Sequence, residues 1–514
     1  MSPSPNVEFP TRRYKRREVL KGAVALGVTG PTLWRQSDAL AVTTPNGPRW
    51  IAFGPVPTTQ MYVSWSANGS SQAQPPSAPQ IRWHLNKAAT KHQPADRSIQ
   101  VPLPGGVVGE PAERTFYNST LLTSLAPGRT YHYSVSNDGR SWSTEHTFKT
   151  AVPGPSNFRF TAFGDQGIGT DTAAPMVSLV TSLKPAFHLL AGDLAYATPK
   201  GLAIPDVTDF HPEFWDTYLN IIGRTGAHSV PWLASVGAHE VEPLGSHGYD
   251  GFITRFRQHY DHSSGSPVVH TFRYGNVAFI HLDANDLSAQ ATINNGYTAG
   301  AQTAWLERKL AHYRSAGTGI DFIVVVCSCC CYSTNRTHGS DGGLRDVWGP
   351  LFDKYTVDLV VSGHVHAYER TNPIRAARPT RAVARGGTVH PATDGTTYIC
   401  AGGGGKGLYT TWYGKSGAGD AGNSTAPKIW RWTGGDTAQG GSGRPEQVTD
   451  KTKGFSAFRQ AAYSCLVVDV TAPSGAQHKT TMHIRALKPP QTAGAVTGIA
   501  SPTVMDSVSI VRHA

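Results

Sequence analysis

The chain has 514 residues, a formal net charge of +11 and six cysteines. That length allows two to four domains with a large core. Its 55 Gly and 36 Pro, against 16% charged residues, exclude a coiled coil and a disordered polyelectrolyte and point to a loop-rich, β-heavy globular protein. Six cysteines in so long a chain exclude a disulfide framework, yet Cys327, Cys329, Cys330 and Cys331 crowd together.

Part of the positive charge sits at the start. Residues 1–41 hold Arg12, Arg13, Lys15, Arg16, Arg17, Lys21 and Arg35 against Glu8, Glu18 and Asp38. The rest is spread thinly, with no basic run interleaved with aromatics, so nucleic acid is not an expected partner. Lys15-Arg16-Arg17 precedes a mildly apolar stretch from Gly22 to Leu33 and a small-x-small pattern at Ala39-Leu40-Ala41. This resembles a bacterial twin-arginine export signal over residues 1–41. The expectation is export to the cell envelope or beyond, with no membrane span, because the apolar run is about half the length a span needs.

Residues 45–150 read as short alternating strands separated by turns, as in Met61-Tyr62-Val63-Ser64-Trp65 and Gln80-Ile81-Arg82-Trp83. That spacing predicts an antiparallel sandwich. Leu125-Ala126-Pro127-Gly128-Arg129-Thr130-Tyr131-His132-Tyr133 resembles a fibronectin type III domain. No catalytic constellation lies here, and Ala151 to Ser156 reads as a linker.

From residue 157 to 514 the pattern changes. Phe158–Phe163 runs into Gly164-Asp165-Gln166-Gly167, and Phe187–Ala191 into Gly192-Asp193-Leu194-Ala195-Tyr196. Val230–Val236 ends at Gly237-Ala238-His239-Glu240, and Val357–Ser362 at Gly363-His364-Val365-His366. Asp321–Val326 leads into the cysteine run, and helices are predicted over 302–313 and 344–355. Each apolar strand closes on Gly and then Asp or His. Sites in open α/β sheets form at the carboxyl ends of strands, and Gly lets the backbone approach a ligand closely. Asp165, Asp193, Tyr196, His239, His364 and His366 are thereby delivered to one rim. His364 and His366, two apart, point the same way if extended. Imidazoles among carboxylates suit a transition metal.

These motifs, in this order and behind a β-sandwich, resemble the purple acid phosphatases of the calcineurin-like metallophosphoesterases. The last of them stands here as Gly363-His364-Val365-His366-Ala367-Tyr368-Glu369-Arg370. The resemblance implies a four-layer α/β/β/α sandwich preceded by the all-β fibronectin-like domain. It implies a binuclear centre, ferric iron paired with ferrous iron, zinc or manganese, and a phosphate mono- or diester as substrate, cleaved by metal-bound hydroxide. Asp165, Asp193, Tyr196 and His366 would hold the first metal. Asp193 would bridge to the second, which His364 also binds. His239 would contact the phosphate and assist the leaving group.

Two positions depart from the family pattern. Its metal-binding Asn is Ala238 here. The His of its Val-x-x-His falls, depending on frame, on Ser328 or Cys329. Both departures touch the second metal, and three readings stand open. The chain is a pseudoenzyme or altered variant of the family, or it holds one metal and hydrolyses slowly, or a thiolate replaces the imidazole and favours zinc. The remaining cysteines equally suit the filling of a strand end. Gly402 to Gly407 lacks the spacing of a phosphate loop and reads as a Gly-rich loop near the site. His188 and His281 lie in apolar strands and read as core. Ser340 to Gly343 reads either as a substrate contact or as the turn before a helix.

Overall fold

Alternating burial builds the first part of the chain. The computed structural model describes residues 47–68, 76–101, 115–200, 207–413, 426–434, 442–474, 479–492 and 494–513. The leader over residues 1–41 and its export reading lie outside them. Strands β1 (Arg49–Phe53), β2 (Met61–Asn68), β3 (Gln80–His84), β4 (Lys91–Pro94), β5 (Arg97–Gln100), β6 (Thr115–Leu122), β7 (Thr130–Ser136) and β8 (His146–Lys149) form two four-stranded antiparallel sheets. Their orders are β1-β2-β6-β5 and β4-β3-β7-β8. Met61, Val63 and Trp65 from one sheet share a core with Ile81, Tyr133 and Val135 from the other. The period-2 pattern thus buries one face of each strand.

The second part is built on strands buried on both faces, which is why they read as unbroken apolar runs. One seven-stranded sheet has β9 (Phe158–Phe163), β10 (Phe187–Ala191) and β11 (Trp232–Ser235) in parallel, with the long antiparallel strands 465–474, 479–488 and 503–513 beside β9. The other places β12 (Val277–His281), β13 (Phe322–Cys327), β14 (Leu359–Ser362) and β15 (Thr397–Ala401) in parallel register. Phe160, Ala162, Leu189 and Ala191 meet Phe279, Val324, Val326 and Val361 between the sheets. Helices α1 (Ala173–Ser182) and α2 (Glu213–Thr225) cover the outer face of the first sheet. Helices α3 (Ala301–Arg314) and α4 (Gly342–Lys354) cover that of the second. The result is the expected α/β/β/α stack behind an all-β module.

The two parts are hydrogen-bonded together. Ile51 N–H donates to the Ala227 carbonyl at 2.9 Å, and the Tyr133 hydroxyl to the His228 carbonyl at 2.7 Å. The Tyr117 hydroxyl donates to Asp216 on α2 at 2.9 Å. Asp341 accepts from the N–H groups of Gly343 and Leu344, so Ser340 to Gly343 is the cap of α4. His188 and His281 are fully buried in their strands.

The two large sheets are also joined by a buried ion pair. Arg370 donates from Nε and Nη2 to the Asp506 carboxylate at 2.6 and 3.1 Å, and the Tyr368 hydroxyl adds a third bond at 2.8 Å. Removing one partner strands a charge in the core. Asp506→Ala should therefore lower the unfolding free energy by about 3–5 kcal/mol, read as a shifted midpoint in urea denaturation.

Candidate metal centre

The parallel strands β9 to β11 of one sheet and β12 to β15 of the other end at one rim, and the residues just beyond those ends make the site. Asp165 follows β9, Asp193 and Tyr196 follow β10, His239 follows β11, Ser328 and Cys329 follow β13, and His364 and His366 follow β14. Asp165, Asp193, Tyr196 and His364 have φ of 57°, 55°, 57° and 67°. This left-handed conformation is costly for residues with a Cβ.

Hydrogen bonds between loops hold it. Asp165 N–H donates to the Gly192 carbonyl at 3.1 Å, Gln166 N–H to Asp193 at 3.1 Å, and Gly167 N–H to Leu194 at 2.8 Å. The buried Glu240 carboxylate accepts from the N–H groups of Asp193, Leu194 and Gly237 at 2.8, 2.7 and 2.8 Å. Burial and the Asp193 carboxylate push Glu240 upward in pKa, and the three donors oppose the rise. The motif glycines serve close approach. A Cβ on Gly237 would lie 2.1 Å from Asp193 Oδ1, and one on Gly363 would lie 2.7 Å from Asp165 Oδ2.

The acidic and imidazole groups fall into two halves. In the first, the Tyr196 hydroxyl lies 3.2 Å from Asp165 Oδ1 and 2.9 Å from His366 Nε2, and His366 Nε2 lies 3.3 Å from Asp165 Oδ1. His366 Nδ1–H donates to the Gly407 carbonyl at 2.7 Å, which leaves Nε2 as the lone pair turned to the site. Burial pushes His366 down to about 4, so this imidazole is neutral. In the second half, His364 Nδ1 is 3.8 Å from Asp193 Oδ2. His364 Nε2 is 3.3 Å from Gln290 Oε1.

His239 lies beside both halves. Its Nδ1–H donates to the Thr198 carbonyl at 2.6 Å, its ring packs 4.1 Å from that of Tyr196, and its backbone N–H donates to Asp193 Oδ1 at 3.1 Å. The expected extended segment at His364 and His366 is a correction. Val365 N–H bonds the Gly363 carbonyl and Ala367 N–H the Val365 carbonyl, so the chain coils in tight turns and each imidazole serves a different carboxylate.

The donor set suits a cation. Asp165 Oδ2 and Asp193 Oδ2 are buried without a hydrogen-bond partner. Burial and the neighbouring Asp193 push Asp165 well up, whereas His239 and His364 overcome burial and hold Asp193 down. Burial and the two carboxylates also push Tyr196 well up. A positive ion relieves all of these at once. Among the described residues, no three His, Cys, Asp or Glu side chains are gathered tightly enough to cage an ion as they stand; Tyr196, Asp165 and His366 bond one another instead.

At the departing positions, Ala238 is buried and offers no donor atom. Ser328 Oγ is buried without a partner, and its Cβ lies where a side chain on Gly192 would reach, at 2.7 Å. Cys329 packs in the apolar cluster under α3 and α4 that also holds Ala238, with Sγ 3.5 Å from Ser288 Oγ. Burial and Asp341 push its thiol well up.

Three neighbours escaped the sequence reading. The ring of His338 packs 4.0 Å from that of His364 and 5.2 Å from that of Tyr409. Lys406 places its ammonium 4.1 Å over the Tyr196 ring, and burial lowers it to about 8. Gln290 reaches His364. Only Lys406 left a trace in the sequence, inside the Gly run. That run does lie at the site, since Lys406 N–H bonds the Asp165 carbonyl and Gly404 N–H that of Gly164.

Fold and rim together define a calcineurin-like phosphoesterase. The family model of that description, Calcineurin-like phosphoesterase, matches residues 158–368, and that for the Purple acid Phosphatase, N-terminal domain, matches residues 49–150. Uncharacterized protein MT2654 of Mycobacterium tuberculosis is 30% identical over 447 residues, covering 78% of this chain and 80% of its own. Purple acid phosphatase 22 of Arabidopsis thaliana is 30% identical over 254 residues, covering 48% and 51%. The structure of a purple acid phosphatase from yellow lupin (Lupinus luteus) seeds shares the fold, with a TM-score of 0.64 at 19% identity over 92% of this chain and 75% of that one. The chain belongs to the purple acid phosphatase type of calcineurin-like phosphoesterases, a family of phosphoric ester hydrolases.

Glu240→Ala should leave three buried N–H groups unpaired and cost about 3 kcal/mol or more. Urea unfolding measures it, and Glu240→Gln should recover part of the loss.

Proposed function

We propose that the chain is an exported metal-dependent phosphatase that hydrolyses phosphate mono- or diesters at the rim formed by Asp165, Asp193, Tyr196, His239, His364 and His366. The observation that carries this is the pair of buried carboxylate oxygens, Asp165 Oδ2 and Asp193 Oδ2, left without partners beside two imidazoles. Export is supported by the Lys15-Arg16-Arg17 leader and its Ala39-Leu40-Ala41 end. Among the described residues no helix is long and apolar enough to cross a membrane.

Asp165, Asp193, Tyr196 and His366 would hold the first metal, by resemblance ferric iron. When bound, such an ion supplies Lewis acidity to the phosphoryl oxygens. The protein's own groups do the rest. Gly407 fixes the His366 tautomer. Thr198 fixes that of His239 with the proton on Nδ1, so Nε2 carries a proton only in the imidazolium, which burial opposes and the Asp193 carboxylate favours. In that form His239 donates from Nε2 to a phosphoryl oxygen or hands the proton to the departing oxygen. Lys406 adds positive charge on the Tyr196 side.

The second metal is the weaker half. Asp193 and His364 remain, but Ala238 brings no donor. This favours a second reading, an impaired or mononuclear member of the family. A thiolate ligand from Cys329 is the least supported alternative, because that thiol is packed among apolar side chains. Metal analysis and p-nitrophenyl phosphate turnover decide between these. The chain as it stands should keep one tightly held metal and turn over slowly, and Ala238→Asn combined with Ser328→His or Cys329→His should add a second metal and raise turnover 10–100-fold (about the effect of a supporting metal-site partner). Two stoichiometric metals with full turnover before any substitution would sink the impaired reading. Asp193→Ala should remove both metal and turnover.

A further inference from the structure

A cleft of about 420 Å³ lies where β1 and β8 of the sandwich meet the end of α2. It shares no residue with the metal centre. Its lining includes Arg49, Arg224, His146, Ser141, Ser143 and Thr144, and no lining residue is Asp or Glu. His228 stands just behind, its ring 4.0 Å from that of His146. Guanidinium, imidazole and hydroxyl groups therefore converge from both domains: Arg49 and His146 from the sandwich, Arg224 from the end of α2 and His228 from the turn after it.

Two further observations point to a missing anion. Arg49 Nε is buried and has no hydrogen-bond partner. Among the described residues no carboxylate acts on Arg49 either; burial holds its guanidinium below the usual range, with Tyr133 opposing the shift and Arg224 adding to it. His146 is driven down to about 4 by burial, Arg49 and His228, which reports the same positive field. A buried guanidinium N–H left unpaired is costly, and ordinary ion-paired arginines of this chain, such as Arg370, show what is absent here.

The walls are fixed in advance. Ile51 N–H to the Ala227 carbonyl and the Tyr133 hydroxyl to the His228 carbonyl tie the strands to the turn after α2. Gly223 permits the contact, since a Cβ there would lie 2.8 Å from the Arg49 carbonyl oxygen. Arg224 is steadied by Asn220, whose Oδ1 accepts from Nε at 3.0 Å.

We propose that this cleft is a second oxyanion site, taking a phosphate group as free phosphate or as the head of a small phosphorylated molecule. Guanidinium N–H and hydroxyl groups match the acceptor oxygens of such a group. The volume leaves room for an organic remainder. The bound anion links sandwich to catalytic domain, so it stabilises the folded chain by mass action. The proposal stands apart from the metal centre and survives if that centre proves inactive.

Titration calorimetry and thermal unfolding of the metal-stripped protein test it, with inorganic phosphate and glycerol phosphate as probes and chloride at matched ionic strength as the control. Saturable binding of one phosphate per chain and a raised melting temperature are expected. Both should persist in Asp193→Ala and weaken at least tenfold in Arg49→Gln and in His146→Gln, with Arg49→Lys intermediate. Tighter binding of glycerol phosphate assigns the site to phosphorylated molecules, and equal or weaker binding assigns it to free phosphate. Absence of saturable binding, loss of binding in Asp193→Ala, or unchanged affinity in both Arg49→Gln and His146→Gln would overturn it.

Discussion

The site depends on one fully buried carboxylate that is not among its candidate ligands. Glu240 collects the N–H groups of Asp193, Leu194 and Gly237 and so clamps the loop after β10 to the loop after β11. Asp193 and its neighbours Asp165, Tyr196 and His364 adopt left-handed backbone that side-chain-bearing residues resist. Such strain persists only where the surroundings over-determine it. Glu240, the ladder from Asp165 to Gly167, and the Gly run whose Lys406 N–H bonds the Asp165 carbonyl do so from three directions. Two sheets are needed for this, because β9, β10 and β11 bring Asp165, Asp193, Tyr196 and His239, and β14 of the other sheet brings His364 and His366.

The rim was legible in the sequence because its logic is local. An apolar run long enough for a strand, then Gly, then Asp or His, identifies a strand end, and strand ends in parallel sheets converge. The orientation of the side chains was not legible. Spacing by two suggested that His364 and His366 share a face, but tight turns send them to Asp193 and Asp165 respectively. His338 and Gln290 were missed for a different reason. They arrive on loops outside any strand end, and only tertiary packing places them against His364. The sandwich read more easily than the site, since Met61, Val63 and Trp65 alternate as the pleat requires.

The cysteine run divides by function within the fold. All six thiols are free and buried. Cys330 Sγ and Cys400 Sγ both approach the Gly363 carbonyl, at 3.0 and 3.6 Å, and so support the bend that launches His364. Cys327, Cys329 and Cys331 belong instead to the apolar cluster beneath α3 and α4. Crowding in sequence therefore reflects a strand end and the bends after it, which meet two environments.

That division bears on the weaker half of the metal centre. Ala238 and Cys329 lie in the same apolar cluster, although they come from loops after different strands and different sheets. A polar side chain at either position would be buried among apolar groups, at a cost of about 1–3 kcal/mol where it finds no hydrogen-bond partner or ion. Asp165, Tyr196 and His366 lie outside that cluster and bond one another through polar atoms. The apolar cluster therefore reaches the rim at Ala238, whereas Asp165, Tyr196 and His366 form its polar side.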